Sequence, residues 1–399
     1  MMIAKKMLLA MISATALAFA GAASAMAEDD VVIGLAVAES GFMAAYDGDG
    51  ANAVKLWVDD QNAKGGLLGR KIRWISSDTK SDRAQGARAG QEMVDKGANI
   101  VVVSCDYDFG SPAAGAAQRA GIVSMFICAE DPKAGVHGAG AYAFTSSVAA
   151  QVQGAAGAGW AKAKLGAKTY YTLLDTTIEY DKSVCAGFDW AAKRAGLEQL
   201  GSDTFKNDDP TVQSQITRIA GLATRPDVLV LCSYVPGGAS AVRQLRAAGL
   251  GMPIVAASAM DGTYWLDAVP NLSDFYVPVQ ASMHGDDPRP EVNAFVERFK
   301  AKFGHAPAST YGIPAYPFMD LWGRAVEKAG SVEAKDVVPV MEQYRDEPTI
   351  IGPRTFTPEW HIQLDALMQI LEYRDGRPRV IDEYRLGEPI PTEVLFRTN

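Results

Sequence analysis

Carboxylates, aromatic rings and cysteines are concentrated in two short segments of this chain, residues 105–111 and 128–131. The first segment holds a cysteine, two aspartates, two aromatic residues and a serine, and the second holds a cysteine and two acids. Neither segment contains Arg or Lys, so an anion buried there would lose roughly several kcal/mol of hydration and would meet like charge. A solute with an amine, or a neutral amide with several donors, suits these segments better. Aromatic rings can flank a planar or cationic group.

The sequence lacks the usual patterns of catalysis and metal binding. No Gly-x-Ser-x-Gly nucleophile turn occurs, and the triplet Asp108-Phe109-Gly110 lacks the His-Arg-Asp loop that accompanies it in kinases. The histidines are scattered, and no two cysteines form a Cys-x-x-Cys pair, which disfavours a zinc site. The sequence therefore predicts a protein that is not an enzyme and that uses no metal or cofactor.

The charge balance of the chain argues against two classes of partner. Lys and Arg number 38, and Asp and Glu number 47, which gives a net charge of −9. The basic residues form no long run. We therefore expect neither nucleic acid nor an anionic lipid surface to be a partner.

The first 27 residues have the pattern of a secretory signal peptide. Lys5 and Lys6 precede a largely apolar run, and residues 25–27 offer small side chains for cleavage before Glu28. Residues 23–25 offer a second cleavage site. The apolar run is short for a membrane span, although an uncleaved anchor is the alternative. We expect an exported protein in the periplasm.

Export would place the four cysteines in an oxidising compartment, where disulfides form and persist. Cys105, Cys128, Cys185 and Cys232 fall two in each half of the chain, and three of them lie near predicted strand ends. We expect Cys105 to pair with Cys128 and Cys185 to pair with Cys232. Four buried free thiols, which pack as small apolar side chains, are the alternative.

Strands and helices are predicted to alternate along both halves of the chain. The first half begins with a continuous apolar strand over Val31–Val37, which is typical of a strand buried on both faces. A later strand is expected over Ile100–Ser104, followed by a helix over Ser111–Ala120. After residue 145 the pattern starts again, with strands that include Val228–Cys232. Such alternation predicts right-handed crossovers and mostly parallel sheets.

The later part of the chain is predicted to return to the first half and then leave it again. Helices are expected near Glu291–Phe303 and over Tyr311–Ala329, and a hairpin is expected around Asp375. We therefore expect an α/β fold with two Rossmann-like lobes, joined by a hinge that the chain crosses three times. The expected limits are residues 1–27 for the signal peptide, 28–145 with 281–352 for the first lobe, 146–280 with 353–385 for the second, and 386–399 for a C-terminal tail.

A set of motifs occurs in a fixed order along this plan. The most specific is Asn62-Ala63-x-Gly65-Gly66-Leu67-Leu68-Gly69-Arg70. Weaker motifs are Asp78-x-x-Ser81-Asp82, Leu174-Asp175 with Tyr180-Asp181, Arg225-Pro226-Asp227-Val228 and Ile351-Gly352-Pro353-x-x-Phe356. From about Val31 to Tyr373 the chain strongly resembles the leucine/isoleucine/valine-binding family, the type I periplasmic solute-binding proteins of ABC importers. The resemblance implies a monomeric receptor that delivers a small polar solute to a permease in the inner membrane.

The resemblance also implies which residues contact the solute. In open parallel sheets, ligands bind beyond the carboxyl ends of the strands where the strand order reverses, and the family's contacts fall on such loops. Carried over by position, the ligand contacts are Cys105, Asp106, Tyr107, Asp108, Phe109, Ser111, Ala129, Glu130, Tyr180, Tyr234, Ser258 and Asp261. Phe42 and Tyr46 are further candidates at the mouth of the site.

The sequence departs from the family pattern where an amino acid's carboxylate would bind. Amino-acid binders of this family carry adjacent serines after the third strand and a threonine after the fourth, whereas here only Ser111 offers a hydroxyl. We expect an amino acid, an amide or another amine-bearing compound as the solute, with an aromatic carboxylate as one alternative. A ligand-sensing protein coupled to a receptor, rather than to a permease, is another.

Several of the candidate acids also have a purely structural role open to them. Asp106 and Asp108 can cap the following helix and interact with its positive end. Glu130 lies in a segment that can be a simple turn before a proline. Asp261 and Ser258 compete for the position that resembles the family's amine-binding carboxylate.

Overall fold

The computed structural model describes residues 30–398, which form a mixed α/β fold with two sheets. The predicted signal peptide, residues 1–27, lies outside the described residues. The strands are β1 (Val31–Val37), β2 (Ile72–Asp78), β3 (Ile100–Val103), β4 (Val123–Phe126), β5 (Ala143–Phe144), β6 (Thr169–Asp175), β7 (Glu198–Phe205), β8 (Val228–Cys232), β9 (Ile254–Ala256), β10 (Phe275–Val279), β11 (Met368–Arg374) and β12 (Arg377–Tyr384). The α-helices are α1 (Ala44–Ala63), α2 (Arg83–Asp95), α3 (Tyr107–Ala120), α4 (Ala150–Trp160), α5 (Glu179–Arg194), α6 (Gln213–Ala220), α7 (Gly237–Ala247), α8 (Pro290–Phe303), α9 (Ala315–Ala329), α10 (Ala334–Met341) and α11 (Thr392–Leu395). Within this range, no helix combines the length and the apolar character that a membrane crossing requires.

The first sheet has five parallel strands in the order β2-β1-β3-β4-β5. Every residue of β1 is buried, because helices cover both faces of the sheet. Ile33 and Leu35 pack in one core with Val54 and Trp57 of α1, whereas Ala36 packs in another with residues of α2 and α3. We call this sheet and the helices packed on it, together with α8 to α10, the first lobe.

The second sheet has seven strands in the order β12-β11-β10-β9-β8-β6-β7. The five strands from β6 to β10 are parallel, and the hairpin β11–β12 adds two antiparallel strands at one edge. Asp375 and Gly376 form the hairpin turn with φ values of 50° and 71°, as a two-residue type I′ turn requires. We call this sheet, with α4 to α7 and α11, the second lobe.

Both sheets reverse their strand order at the equivalent position. The order β2-β1-β3-β4-β5 in the first lobe corresponds to β7-β6-β8-β9-β10 in the second. The reversals therefore lie between β1 and β3 and between β6 and β8. In doubly wound sheets of this order, the crevice for a ligand opens at that point.

The chain passes between the two sheets three times, after β5, after β10 and before β11. Arg354, which is buried in the third passage, contacts both of the others. It donates to the carbonyl oxygen of Ser146 at 2.6 Å and to the Gln280 side-chain oxygen at 3.2 Å. The expected lobe limits near residues 145, 280 and 352 fall in these segments, and the exact limits stay a prediction.

Most predicted elements occur within a few residues of their expected bounds, but some differ. Helix α3 begins at Tyr107 rather than Ser111, because the Asp106 side chain accepts from the backbone N–H of Asp108 and caps it. Helix α9 begins at Ala315 rather than Tyr311, since residues 310–312 form a separate 3₁₀ turn. The short elements β5 and α11 were not predicted, because two to four residues carry no periodic pattern.

Candidate ligand-binding site

A cavity lies between the two lobes, beside the carboxyl ends of β1, β3, β6 and β8. These strands lie on either side of the points where the strand order of each sheet reverses. A ligand crevice is expected at such points in doubly wound sheets, so the strand order explains where the cavity lies. Its empty space is about 350 Å³, including the opening to solvent. The lining residues are Met43, Tyr46, Cys105, Asp106, Cys128, Glu130 and Tyr311 from the first lobe, and Ile178, Tyr180, Tyr234 and Ala259 from the second.

In the first lobe, the loops after β3 and β4 are held together covalently. Cys105 is disulfide-bonded to Cys128, and both line the cavity. The next residue, Asp106, has extended backbone geometry and caps α3. Its side-chain oxygen accepts from the backbone N–H of Asp108 at 2.8 Å. Burial, followed by the charge of Asp108, raises the pKa of Asp106 well above its usual range.

In the second lobe, a close helix contact brings two polar side chains together. A Cβ on Gly154 of α4 would lie 1.9 Å from a carbonyl oxygen of α5, and a Cβ on Gly187 of α5 would lie 2.0 Å from one of α4. Only glycine allows the two backbones to approach this closely. Gln153 then meets the first turn of α5, where its side-chain oxygen accepts from the Tyr180 hydroxyl at 2.8 Å.

The second disulfide lies close in sequence to the two lining tyrosines of this lobe. Cys185 of α5 is bonded to Cys232, the last residue of β8. Tyr180 lies five residues before the first cysteine and Tyr234 two residues after the second. The bond therefore links the helix that carries Tyr180 to the end of the strand that precedes Tyr234.

Glu130 lies at the base of the cavity and is bonded to neutral groups. One carboxylate oxygen accepts from the Gln153 amide at 2.7 Å and from the Tyr311 hydroxyl at 2.9 Å. The other oxygen accepts from the Gln280 amide at 2.8 Å. Burial raises the pKa of Glu130 to about 8, although these hydrogen bonds oppose the rise. The carboxyl is therefore largely protonated at neutral pH.

Direct hydrogen bonds join the two lobes across the cavity. The Tyr46 hydroxyl donates to the carbonyl oxygen of Ala259 at 3.1 Å and accepts from the backbone N–H of Val235 at 3.0 Å. The hydroxyls of Tyr311 and Tyr180 lie 2.9 Å apart. The structure therefore has the lobes in contact, with tyrosines from each side meeting in the cleft.

Two of the candidate acids are occupied by contacts between the lobes. Asp261 accepts from the Ser309 hydroxyl at 2.8 Å and from the backbone N–H of Thr310 at 2.7 Å. Burial raises the pKa of Asp261 to about 6. Asp108 accepts from the backbone N–H of Glu179 at 2.8 Å. These carboxylates hold protein groups rather than facing an open cavity.

The lining of the cavity contains two acids and no Lys or Arg. The other lining residues include four tyrosines and the two cysteines of a disulfide. Such a cavity can hold a neutral or cationic group against aromatic rings, and it offers an anion no opposite charge. Among residues 30–398, no group of three or more His, Cys, Asp or Glu side chains is arranged to hold a metal ion.

A model of one protein family matches residues 30–377, and that family is described as periplasmic binding protein. The chain belongs to the periplasmic binding protein family. The Leu/Ile/Val-binding protein BraC3 of Rhizobium johnstonii is 24% identical over 340 residues, which cover 83% of this chain and 88% of the relative. A leucine-, isoleucine-, valine-, threonine- and alanine-binding protein of Pseudomonas aeruginosa is 22% identical over 324 residues, covering 81% and 85%.

Solved structures of other binding proteins have the same two-lobed fold as this periplasmic binding protein. The branched-chain amino acid transporter substrate-binding protein LivJ of Streptococcus pneumoniae, in complex with isoleucine, has a TM-score of 0.79 at 22% identity, covering 90% of this chain and all of LivJ. A Rhodopseudomonas palustris solute-binding protein, in complex with 3,4-dihydroxybenzoic acid, has a TM-score of 0.76 at 21% identity, covering 90% and 98%. The predicted fold class is confirmed.

The structure of this periplasmic binding protein brings some of the predicted contact residues together and leaves others aside. Those that line the cavity are Cys105, Asp106, Glu130, Tyr180 and Tyr234. Those outside the lining are Tyr107, Asp108, Phe109, Ser111, Ala129, Ser258 and Asp261. Because α3 starts at Tyr107 rather than at Ser111, Ser111 lies in the second turn of the helix and not in the loop before it.

The sequence alone did not identify Tyr311 as a site residue. It lies in a 3₁₀ turn rather than after a strand. Its hydroxyl is hydrogen-bonded to Glu130, which lies 181 residues earlier in the sequence. No local pattern marks such a contact. Met43 and Ile178 were also missed, although both lie on loops after strands, beside Tyr46 and Tyr180.

Proposed function

We propose that this protein is the extracytoplasmic receptor of an ABC importer, which captures a small polar solute between its two lobes. An amino acid, an amide or an amine-bearing compound is the expected solute. The observation that carries the proposal is the cavity between the lobes, lined by side chains from both of them. The Rhizobium relative is named as a Leu/Ile/Val-binding protein, and LivJ holds isoleucine, which supports a solute of amino-acid size.

Capture occurs by closure of the lobes about the three chain passages. A solute that contacts both lobes favours the closed form by the difference in its affinity for the two forms. The Tyr46 and Tyr311 contacts across the cleft are the bonds that such closure makes within the protein. The closed form then delivers the solute, as a monomer in the periplasm, to a permease in the inner membrane. Neither catalysis nor nucleic-acid binding forms part of the proposal.

Aromatic carboxylates are the second candidate class of solute. The Rhodopseudomonas protein binds 3,4-dihydroxybenzoic acid, and another from the same genus is in complex with benzoate. The four lining tyrosines suit an aromatic ring. The lining offers no basic side chain to the carboxylate, so we rank this class below amine-bearing solutes.

A solute screen with small-angle X-ray scattering tests the proposal. Amino acids, amides, amines and aromatic acids are first screened for a rise in the unfolding temperature, because a ligand that binds only the folded state stabilises it. A solute that binds is expected to reduce the radius of gyration at saturation. If binding leaves the radius of gyration unchanged, closure is wrong, and if no compound of the panel binds, the receptor function itself is contradicted.

A further inference from the structure

Most polar side chains of the cavity lining are hydrogen-bonded within the protein. The Tyr46 hydroxyl makes two hydrogen bonds to the backbone of the second lobe. The Tyr180 hydroxyl donates to Gln153 at 2.8 Å and lies 2.9 Å from the hydroxyl of Tyr311. Glu130 accepts three hydrogen bonds. A solute that used these groups would have to displace bonds that the protein already makes.

Two polar groups of the lining have no such bonds. Asp106 accepts from the backbone N–H of Asp108 with one carboxylate oxygen, and its other oxygen makes no hydrogen bond of normal geometry with residues 30–398. The hydroxyl of Tyr234 makes none with these residues either. Asp106 and Tyr234 are only 7% and 4% exposed, yet these two atoms are not sealed from solvent. Both residues line the cavity, so a solute there can reach both atoms.

Aromatic packing places these two groups on the same part of the cleft, one from each lobe. The ring of Phe42, in the loop after β1, lies 5.3 Å from the ring of Phe109, in the first turn of the helix that Asp106 caps. The same Phe42 ring lies 5.7 Å from the ring of Tyr234. Phe42 therefore contacts both the start of α3 and Tyr234, and one head group in the cavity can bond to both lobes at this point.

The rest of the lining suits an apolar body. Met43, Ile178, Ala259 and the disulfide offer no polar hydrogen from a side chain, and the other tyrosines present their rings around hydroxyls that are already bonded. Pockets of this kind bind apolar groups and fix their orientation with a few polar contacts. The cavity therefore fits a solute with a single polar head on an otherwise apolar body.

The free groups favour a head group that carries N–H donors. The lining of the cavity, as far as the structure describes it, contains no Lys or Arg to bind a carboxylate. The positive end of α3 already has Asp106 as its cap and Asp108 in its first turn, so it is not open to a further anion. An N–H donor, in contrast, meets the free oxygen of Asp106 directly.

We propose that Asp106 and Tyr234, one from each lobe, bind the N–H-bearing head group of the solute, a primary amine or a primary amide without a carboxylate, and that the rest of the solute is apolar. The inference rests on the proposed function, because it specifies the solute of the same cavity. The head donates to the free oxygen of Asp106. The Tyr234 hydroxyl accepts from an ammonium or donates to an amide oxygen. A head that bonds to both lobes binds the closed form in preference to the open one.

Matched solutes that differ only in the head group test the inference. Titration calorimetry on the exported protein compares benzamide with benzoate and 3-methylbutanamide with 3-methylbutanoate, because each amide has nearly the shape of its carboxylate. Benzylamine and 3-methylbutylamine test the ammonium form, and 3-methylbutylamine is leucine without its carboxylate. In the series whose body fits, we expect the amide or the amine to bind about tenfold more tightly than the carboxylate, or better, and 3-methylbutylamine to bind more tightly than leucine. Tighter binding of the amide assigns a neutral head, and tighter binding of the amine assigns a cationic one.

Asp106→Asn should change the preference between head groups. The cap of α3 keeps the oxygen of Asn towards the backbone N–H of Asp108, so the amide nitrogen takes the place of the free oxygen. A donor then stands where the solute met an acceptor. The preference for the amide or the amine over the carboxylate should therefore fall about tenfold or more, whereas a purely structural role of Asp106 would weaken all solutes alike.

Tyr234→Phe should weaken the preferred solute roughly fivefold, in line with the loss of one hydrogen bond. Its unfolding temperature without solute should equal that of the wild type, because the hydroxyl has no hydrogen bond to lose among the described residues. Asp82 is an exposed cap of α2 and accepts from the backbone N–H of Gln85 at 2.7 Å. Asp82→Asn is therefore the matched control for the capping change, and it should leave every affinity unchanged.

The outcomes separate this inference from the proposed function. The head-group site is wrong if the carboxylate or leucine binds as tightly as the amide and the amine. It is also wrong if Asp106→Asn keeps the preference or if Tyr234→Phe keeps the affinity within about twofold. A solute that still reduces the radius of gyration would leave the receptor function intact in those cases. If no solute of the matched series or of the wider panel binds, both proposals fall.

Discussion

Glu130 connects the cavity to the hinge through a single amide side chain. The Gln280 amide nitrogen donates to Glu130 at 2.8 Å, and its oxygen accepts from Arg354 at 3.2 Å. Arg354 also donates to the carbonyl oxygen of Ser146 in the first passage between the lobes. Hydrogen bonds therefore link Glu130, through Gln280 and Arg354, to residues on all three passages.

Replacing Glu130 by Gln should remove part of the pH dependence of stability. Burial raises the pKa of Glu130 from 4.5 to about 8, so the folded protein holds a proton that the unfolded chain releases. This stabilisation is complete below pH 4.5 and is lost as the pH rises through about 8. Urea unfolding should show the wild type losing stability between roughly pH 6.5 and 8.5, and Glu130→Gln losing less.

That pH interval separates Glu130 from two other buried acids, Asp47 and Asp261. Burial raises the pKa of Asp47 and of Asp261 to about 6, so their contributions fall mostly at lower pH. Glu198→Gln, on the exposed side of β7, serves as the matched control and should follow the wild type. An equal loss of stability in the wild type and in Glu130→Gln would contradict the assignment.

At the scale of elements, each lobe has one disulfide beside the cavity. The bond of Cys105 with Cys128 joins the loops after β3 and β4. The bond of Cys185 with Cys232 joins α5, which carries Tyr180, to the end of β8, two residues before Tyr234. Both bonds thus hold segments that present lining residues, and they are the pairs that the sequence favoured.

Replacing Cys185 and Cys232 together by Ala should reduce both stability and solute affinity. The cysteines are 47 residues apart, and a loop of this size gives a chain-entropy contribution of about 4 kcal/mol as an upper estimate. Affinity should fall as well, because Tyr180 and Tyr234 lose their covalent link. Urea unfolding and titration calorimetry measure the two effects, and unchanged affinity in a folded variant would mean that packing alone positions the tyrosines.

At the scale of the whole molecule, the two lobes share one apolar core across the cleft. The largest cluster of buried side chains includes Val54 and Trp57 of the first lobe as well as Phe188 and Val230 of the second. Direct polar contacts also join the lobes across the cleft, and the Tyr46 hydroxyl makes two of them. The balance between open and closed forms should therefore depend on this residue.

Tyr46→Phe should shift the molecule towards the open form. The change removes two hydrogen bonds between the lobes, each contributing about 1 kcal/mol, so solute affinity should fall roughly thirtyfold. Small-angle scattering without solute should give a larger radius of gyration than for the wild type. Tyr316→Phe removes a hydroxyl bonded to Asp60 within the first lobe and is the control. A radius of gyration equal to that of the wild type would contradict the role of Tyr46.

Local sequence patterns predicted most helices and strands well, because the formation of these elements depends on residues that are close together in the sequence. The apolar run Val31–Val37 and the strand Val228–Cys232 have the bounds that were expected. The start of α3 was misplaced by four residues, since whether Asp106 caps the helix depends on its backbone conformation. Tyr311 was missed because its contact with Glu130 follows from how the chain returns to the first lobe.

The sequence by itself determined the alternation of strands and helices, the two lobes and the loops that face the cleft. These follow from periodic burial and from turn residues, which act over a few positions of the chain. Only the tertiary structure decided which acids remain available to a solute. Asp261 accepts hydrogen bonds from Ser309 and Thr310, which lie 48 and 49 residues further along the chain. The side chain of Asp181, in contrast, has no hydrogen-bond partner among the described residues. Whether a polar group finds a partner depends on segments that fold beside it, however far away they lie in the chain.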